Sequence, residues 1–153
     1  MSVTAILAEQ AFSAKDEYAR FLDMVTDEGG IVSFTGVARP RSRDGAPVAR
    51  LFLDHHPRLT RQSLEEIARA AAERFSVGKL RIVHRCGMIE PGEPIVFVAA
   101  ASAHRRAAFE AADYLMDRLK TDAVFWKRED AVDGARWIEP TAADRAERAR
   151  WSE

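Results

Sequence analysis

Apolar positions along this chain change their spacing from element to element. Residues 3 to 9 alternate as in a strand with one covered face, and Ser13 then offers a cap for a helix over residues 14–24, with Tyr18, Phe21, Leu22 and Val25 at helical spacing. Asp27-Glu28-Gly29-Gly30 ends that helix, and residues 31–37 read as a strand. The strand runs into residues 39–47, where Pro40, Gly45 and Pro47 forbid regular structure and leave a basic, exposed, mobile loop. Leu51 and Leu53 alternate with Arg50, Phe52 and Asp54 in a third strand. Pro57 and Thr60 then open a helix with Leu64, Ile67, Ala68, Ala71 and Phe75 on one face, and Gly78 supplies its stop.

Residues 79–86 and 94–101 form two strands joined through Glu90-Pro91-Gly92-Glu93, an arrangement that predicts an antiparallel hairpin. A third helix follows over about residues 103–119, capped by Ser102, with Ala108, Ala112, Leu115 and Leu119 in one stripe and Phe109 and Met116 beside it. Residues 124–129 and 136–139 pair through a connection containing Asp133-Gly134, a second hairpin. Beyond Thr141 the sequence is Ala, Arg, Asp and Glu, which reads as a polar tail or frayed helix. There is no internal repeat and no linker, so the expectation is one domain over residues 1–153 with its core at about 4–140. Strands in adjacent pairs with helices between them predict an α+β fold, a mixed or mostly antiparallel sheet packed with helices plus a small C-terminal β-hairpin.

Composition narrows the function more than the fold. The chain is 47% hydrophobic and 31% charged, and its formal net charge of -1 argues against a surface built for nucleic acid or an anionic membrane. The longest apolar run, residues 95–101, falls far short of the ~20 residues a bilayer span needs, and the N-terminus has no basic region ahead of an apolar stretch. A cytoplasmic protein is expected. The single cysteine, Cys86, excludes an internal disulfide and a multi-thiolate metal site. The histidines show no His-x-x-x-His or His-Glu-x-x-His spacing, and no Gly-x-Gly-x-x-Gly or Walker-type loop is present.

The candidate chemistry lies in cations set among apolar elements. Lys120 ends the third helix, and Phe125-Trp126-Lys127-Arg128-Glu129 follows a turn later. His104 and Arg105 stand at the start of the same helix, where free backbone N–H groups attract anions, and Arg39 follows an apolar strand at the mouth of the basic loop. Each has an ordinary reading as well: a lysine at a helix end complements the macrodipole, and Arg41 and Arg43 show that the loop is open to a solvated role. Partial burial among other cations would lower a lysine pKa and make it a proton donor and acceptor or a nucleophile. Cys86 has no partner base by spacing and sits in a predicted strand as a small hydrophobe. Taken alone, these residues point to an anionic small molecule, an anionic peptide end, or both. They also leave open a non-catalytic module for a phosphorylated ligand or RNA, and a structural dimer without activity.

In order and spacing, Phe34-Thr35-Gly36-Val37-Ala38-Arg39, His84-Arg85-Cys86-Gly87, Pro91-Gly92-Glu93, Ser102-Ala103-His104-Arg105, Leu119-Lys120 and Phe125-Trp126-Lys127-Arg128-Glu129 resemble the catalytic (large) subunit family of molybdopterin synthase. The resemblance spans about residues 4–140 and is weaker after Trp137. It implies an α/β hammerhead-like fold and an enzyme of molybdenum cofactor biosynthesis. Such an enzyme moves sulfur from the C-terminal Gly-Gly thiocarboxylate of a small ubiquitin-like carrier subunit to cyclic pyranopterin monophosphate, forming the dithiolene of molybdopterin. It implies a homodimer of large subunits within a heterotetramer, and neither metal nor redox cofactor. By the same resemblance Lys120 and Lys127 are catalytic, and Val37, Arg39, His104, Arg105, Arg128 and Glu129 bind substrate.

Overall fold

The strand at residues 94–102 explains the architecture best, because its uninterrupted apolar run needs cover on both faces. In the computed structural model, which describes residues 1–152, this strand sits inside a four-stranded sheet between layers of helix. The elements in chain order are β1 (Ser2–Ala8), α1 (Ala14–Met24), β2 (Gly30–Val37), β3 (Arg50–His55), α2 (Leu59–Phe75) and β4 (Lys79–Arg85). They continue with β5 (Gly87–Ile89), β6 (Pro94–Ser102), α3 (Arg105–Thr121), β7 (Phe125–Ala131), β8 (Gly134–Ile138) and α4 (Ala142–Ala149).

The first sheet has the order β1-β4-β6-β2, with β1 parallel to β4 and the other pairs antiparallel. Val96, Val98 and Ala100 of β6 point to a core built with Leu64, Ile67, Ala68 and Ala71 of α2 and Ala111, Ala112 and Leu115 of α3. The alternate residues Phe97, Ala99 and Ala101 pack with Phe21 of α1 and Val83 of β4 on the opposite face. The expected β4–β6 hairpin is present, with β5 inserted in its connection. The second sheet, β5-β3-β7-β8, is antiparallel throughout, and Ala38, Leu51, Leu53 and Ile89 form its covered side. The fold is therefore α+β with one mixed and one antiparallel sheet, as the strand pairing predicts.

Several local expectations change. Gly78 does not stop α2: Ser76 does, in the left-handed region at φ 54°, and it is the non-glycine residue with positive φ among the described residues. Ser102 is the buried last residue of β6, so α3 begins after His104, whose side chain makes no capping bond. In α1, Phe21 is buried while Tyr18 and Leu22 stay substantially exposed. The second buried position is Glu17, held at 2.7 Å by both Arg81 of β4 and Arg20. Charge pairing, which hydrophobic spacing cannot register, moves the covered face of that helix.

The segment after Thr141 forms α4 through a capping box between Thr141 and Asp144. Trp151 then packs edge-on against Phe75 and Tyr114, and its indole N–H donates to Asp117 at 2.7 Å. The Arg39–Pro47 segment also closes on itself. Ser42 N–H donates to the Ala46 carbonyl (2.7 Å), Val48 N–H donates to the Pro40 carbonyl (2.8 Å), and Arg41 bridges Pro47. No helix among the described residues is long and apolar enough to cross a membrane.

Candidate active site

The turn between α3 and β7 brings the two lysines towards each other, and α2 fixes that turn. The buried Thr60 hydroxyl donates to the Val124 carbonyl at 2.6 Å, and Val124 N–H donates to Ser63 Oγ at 3.2 Å. Both backbone polar groups of Val124 are thus held by one helix. Phe125 then opens β7 stacked on the buried His84 ring, with centroids 4.2 Å apart. Burial pushes the His84 pKa down to about 4, so at neutral pH it is an uncharged ring whose Nδ1–H donates to the Arg85 carbonyl.

From Phe125 onward the residues of β7 alternate between two faces. Lys127 lies opposite Leu53 of β3 and Ile138 of β8, and Glu129 lies opposite Leu51 and Arg136. This face continues the apolar cluster of Ala38, Leu51, Leu53 and Ile89. The Lys127 side chain reaches solvent, yet burial among its neighbours pushes its ammonium below the usual lysine range. Glu129 opposes that shift, while Lys120 of α3 and Arg43 and Arg39 of the loop reinforce it. Arg39 is exposed and directly follows Ala38, whose N–H donates to the Glu93 carbonyl at 2.9 Å. Val37, at the irregular end of β2, is also exposed. Lys120 is 55% exposed and has the Asp144 carboxylate of α4 at 3.8 Å. Four cations therefore converge on one face of the second sheet, with two carboxylates at their margin.

Arg128 points the other way. Opposite Phe52 and Trp137, its guanidinium lies 4.7 Å and 5.6 Å from those ring centroids and binds the Asp130 carboxylate at 2.6 and 2.9 Å. On that face Asp54, Trp126 and Trp137 line a shallow open cleft. His104 and Arg105 are separated from the lysines along the length of α3. The sixteen steps along the chain from His104 to Lys120, at 1.5 Å each, amount to about 24 Å. There His104, Arg105, Arg106, Phe109 and Glu110 line an open depression, and β2 approaches so closely that a Cβ on Gly30 would meet Arg105 Cα at 3.1 Å. One copy of the chain thus brings together Lys120, Lys127, Arg39 and Glu129, with Arg128 on the reverse face and His104 and Arg105 at the far end of α3.

Sequence reasoning passes over Thr60 and Ser63 as ordinary helix-start residues, and Arg136 as a strand residue without chemistry. For Arg136 the signal is present: the tight connection at Val132-Asp133, followed by Gly134, fixes the β7–β8 register, and that register sets Arg136 against Glu129. Cys86 is buried and its thiol is pushed up by that burial and by Glu9, so it carries no thiolate. Among the described residues no group of three or more His, Cys, Asp or Glu is placed to hold a metal ion.

Residues 7–122 match the family model described as MoaE protein. Proteins named molybdopterin synthase catalytic subunit are similar over most of the chain. The one from Caulobacter vibrioides is 47% identical over 147 residues, covering 96% of each protein, and the one from Pseudomonas aeruginosa is 49% identical over 125 residues, covering 82% and 83%. A solved molybdopterin biosynthesis MoaE protein from Burkholderia ambifaria superposes with a TM-score of 0.80 at 35% identity, over 100% of this chain and 99% of that one. A protein–protein complex of subunits 1 and 2 of molybdopterin-converting factor from Helicobacter pylori shares the fold, with a TM-score of 0.73 at 16% identity over 88% and 89% of the two chains. The chain belongs to the MoaE protein family, whose similar members are named as the catalytic subunit of molybdopterin synthase.

Proposed function

We propose that this chain moves sulfur from the C-terminal Gly-Gly thiocarboxylate of a small ubiquitin-like carrier subunit onto cyclic pyranopterin monophosphate, building the dithiolene of molybdopterin. The observation that carries the reading is the convergence of Lys120, Arg39 and Arg43 on Lys127, whose ammonium is driven below its usual range first by burial and then by these cations. A thiocarboxylate tail and a phosphate-bearing pterin are both anions and repel each other. A cluster of cations at the rim of an apolar sheet face lowers the cost of holding them together and stabilises charge that develops as sulfur is transferred. Lys120, at the helix exit and open to solvent, meets the carrier's terminal glycine. Lys127, with its weakened hold on its proton, exchanges protons with the reacting groups. Arg39, Val37 and Glu129 line the pterin side. Arg128 contributes from behind, packed on Phe52 of β3 and Trp137 of β8 and held by Asp130 of its own strand.

In this reading His104 and Arg105 enter the site from a second copy of the chain, which their separation of about 24 Å from Lys120 supports. Apolar surface near them supports such pairing: β2 is an edge strand with Phe34 exposed, and Phe109, one turn beyond Arg105, is 60% exposed. The working assembly in this reading is a homodimer of this chain with a carrier at each end, in the cytoplasm, needing neither metal nor redox cofactor. The test is reconstitution. The purified chain, a thiocarboxylated carrier and cyclic pyranopterin monophosphate should yield dithiolene product, and a carrier lacking its terminal Gly-Gly should yield none. Absence of product from the complete mixture contradicts the proposal.

A further inference from the structure

Glu129 has two cations within its reach. Arg136 faces it across the β7–β8 pair, with Nη2 donating to Glu129 Oε1 at 3.1 Å, and Lys127 lies two residues away on the same face of β7. The Glu129 side chain is half-buried, so its charge is poorly screened by water and strongly felt by whichever cation it does not face. The other arm of the same guanidinium, Nη1, lies 3.7 Å from Asp44 Oδ2 in the Arg39–Pro47 loop. Asp44 is bound into that loop by the Ser42 hydroxyl and by Ala46 N–H. The loop in turn carries Arg39 and Arg43, both of which act on Lys127.

We propose that Arg136 is a positioning residue of this site: by drawing Glu129 of β7 and Asp44 of the loop onto one guanidinium, it holds the Glu129 carboxylate out of an ion pair with the Lys127 ammonium and keeps the loop that carries Arg39 and Arg43 against β8. The inference rests on the reading of Lys127 as a catalytic cation. An arginine suits the task because its planar fork offers separate nitrogens to two carboxylates from two elements, whereas a lysine presents a single point charge. The groups around Lys127 agree. Lys120 comes from α3 with Asp144 of α4 beside it, Arg39 and Arg43 come from the loop, and Leu53 of β3 and Ile138 of β8 are apolar. Glu129 is thus the carboxylate on the lysine's own strand face, and Arg136 occupies it.

The measurement is an NMR titration of the Lys127 Cε resonance in the full chain, comparing wild type with Arg136→Gln, Arg136→Lys and Arg136→Gln/Glu129→Gln. Removing the guanidinium frees Glu129 for Lys127, so Arg136→Gln should raise the Lys127 midpoint by on the order of 0.5 pH unit. Adding Glu129→Gln should bring it back down, and Arg136→Lys should fall between Arg136→Gln and wild type. The Arg136 side chain is 55% exposed, so the thermal midpoint should hold; Arg136→Met repeats the measurement should Arg136→Gln fail to fold. An unchanged Lys127 midpoint in a folded Arg136 variant overturns the inference. Single-turnover sulfur transfer across the same pH range separates this from the broader reading. If the midpoint moves and the rate profile does not, Arg136 controls Lys127 but Lys127 is not the catalytic cation; if both move together, both readings stand.

Discussion

Acid should loosen this fold through His84 before it reaches the carboxylates. The ring is buried beneath β7, stacked on Phe125, and burial holds its pKa at about 4 against 6.5 for a free histidine. Between those two values the unfolded chain binds a proton that the folded chain refuses, so stability rises with pH across that window. The contribution is complete above about pH 6.5 and is lost as pH falls towards 4. The difference of about 2.5 pH units, at 1.36 kcal/mol each, comes to about 3 kcal/mol. That is a large part of the stability of a chain this size. Urea unfolding at pH steps from about 7 to about 4.5 reads the loss directly, with His84→Phe as the comparison because it keeps an aromatic ring on Phe125 and has no proton to accept. Glu28, whose carboxyl the Lys79 ammonium holds down to about 2, begins to lose its own contribution only as pH approaches the normal glutamate value of 4.5, at the acid end of that window, and does so equally in both proteins. The wild type should lose stability steeply where His84→Phe stays nearly level. Equal slopes in the two proteins would show that His84 is not held neutral by its surroundings.

Glu17→Ala should cost about 3 kcal/mol in urea unfolding, since it strands the largely buried Arg81 of β4 without its carboxylate; Arg20→Ala, at an exposed partner, should cost under about 1 kcal/mol. Ser76→Gly should raise the thermal midpoint by an amount equivalent to on the order of 0.5–1 kcal/mol, because it relieves a left-handed backbone at the end of α2; a lower midpoint would refute the strain argument.

Much of this structure was open to the sequence because local chemistry and global fold agree. Ser13 caps α1 as its spacing predicts, the run at residues 95–101 is a strand covered on both faces, and the predicted β7–β8 hairpin forms, turning at Val132-Asp133 with Gly134 opening β8. The reading faltered where a residue's role depends on a distant partner. Glu17 looks like a solvated helix residue until Arg81 arrives from β4, and Ser76 takes the left-handed position although a glycine stands two residues further on. The candidate site divides in the same way. Lys120 and Lys127 fall together because α2 holds the turn between them, a contact made by Thr60 and Ser63 across more than sixty residues. Arg128 follows Lys127 directly in sequence, and strand alternation alone sends it to the other face.

If the cations around Lys127 perform sulfur transfer, Lys120→Ala shows it most directly. Lys120 is exposed and outside the apolar stripe of Ala108, Ala112, Leu115 and Leu119, so the variant should fold with an unchanged thermal midpoint. With saturating thiocarboxylated carrier and pterin precursor, its single-turnover rate should fall by roughly a hundredfold, equivalent to about 3 kcal/mol of transition-state stabilisation. A folded Lys120→Ala protein that transfers sulfur at nearly the wild-type rate would contradict the account and leave Lys120 as a helix-terminal charge.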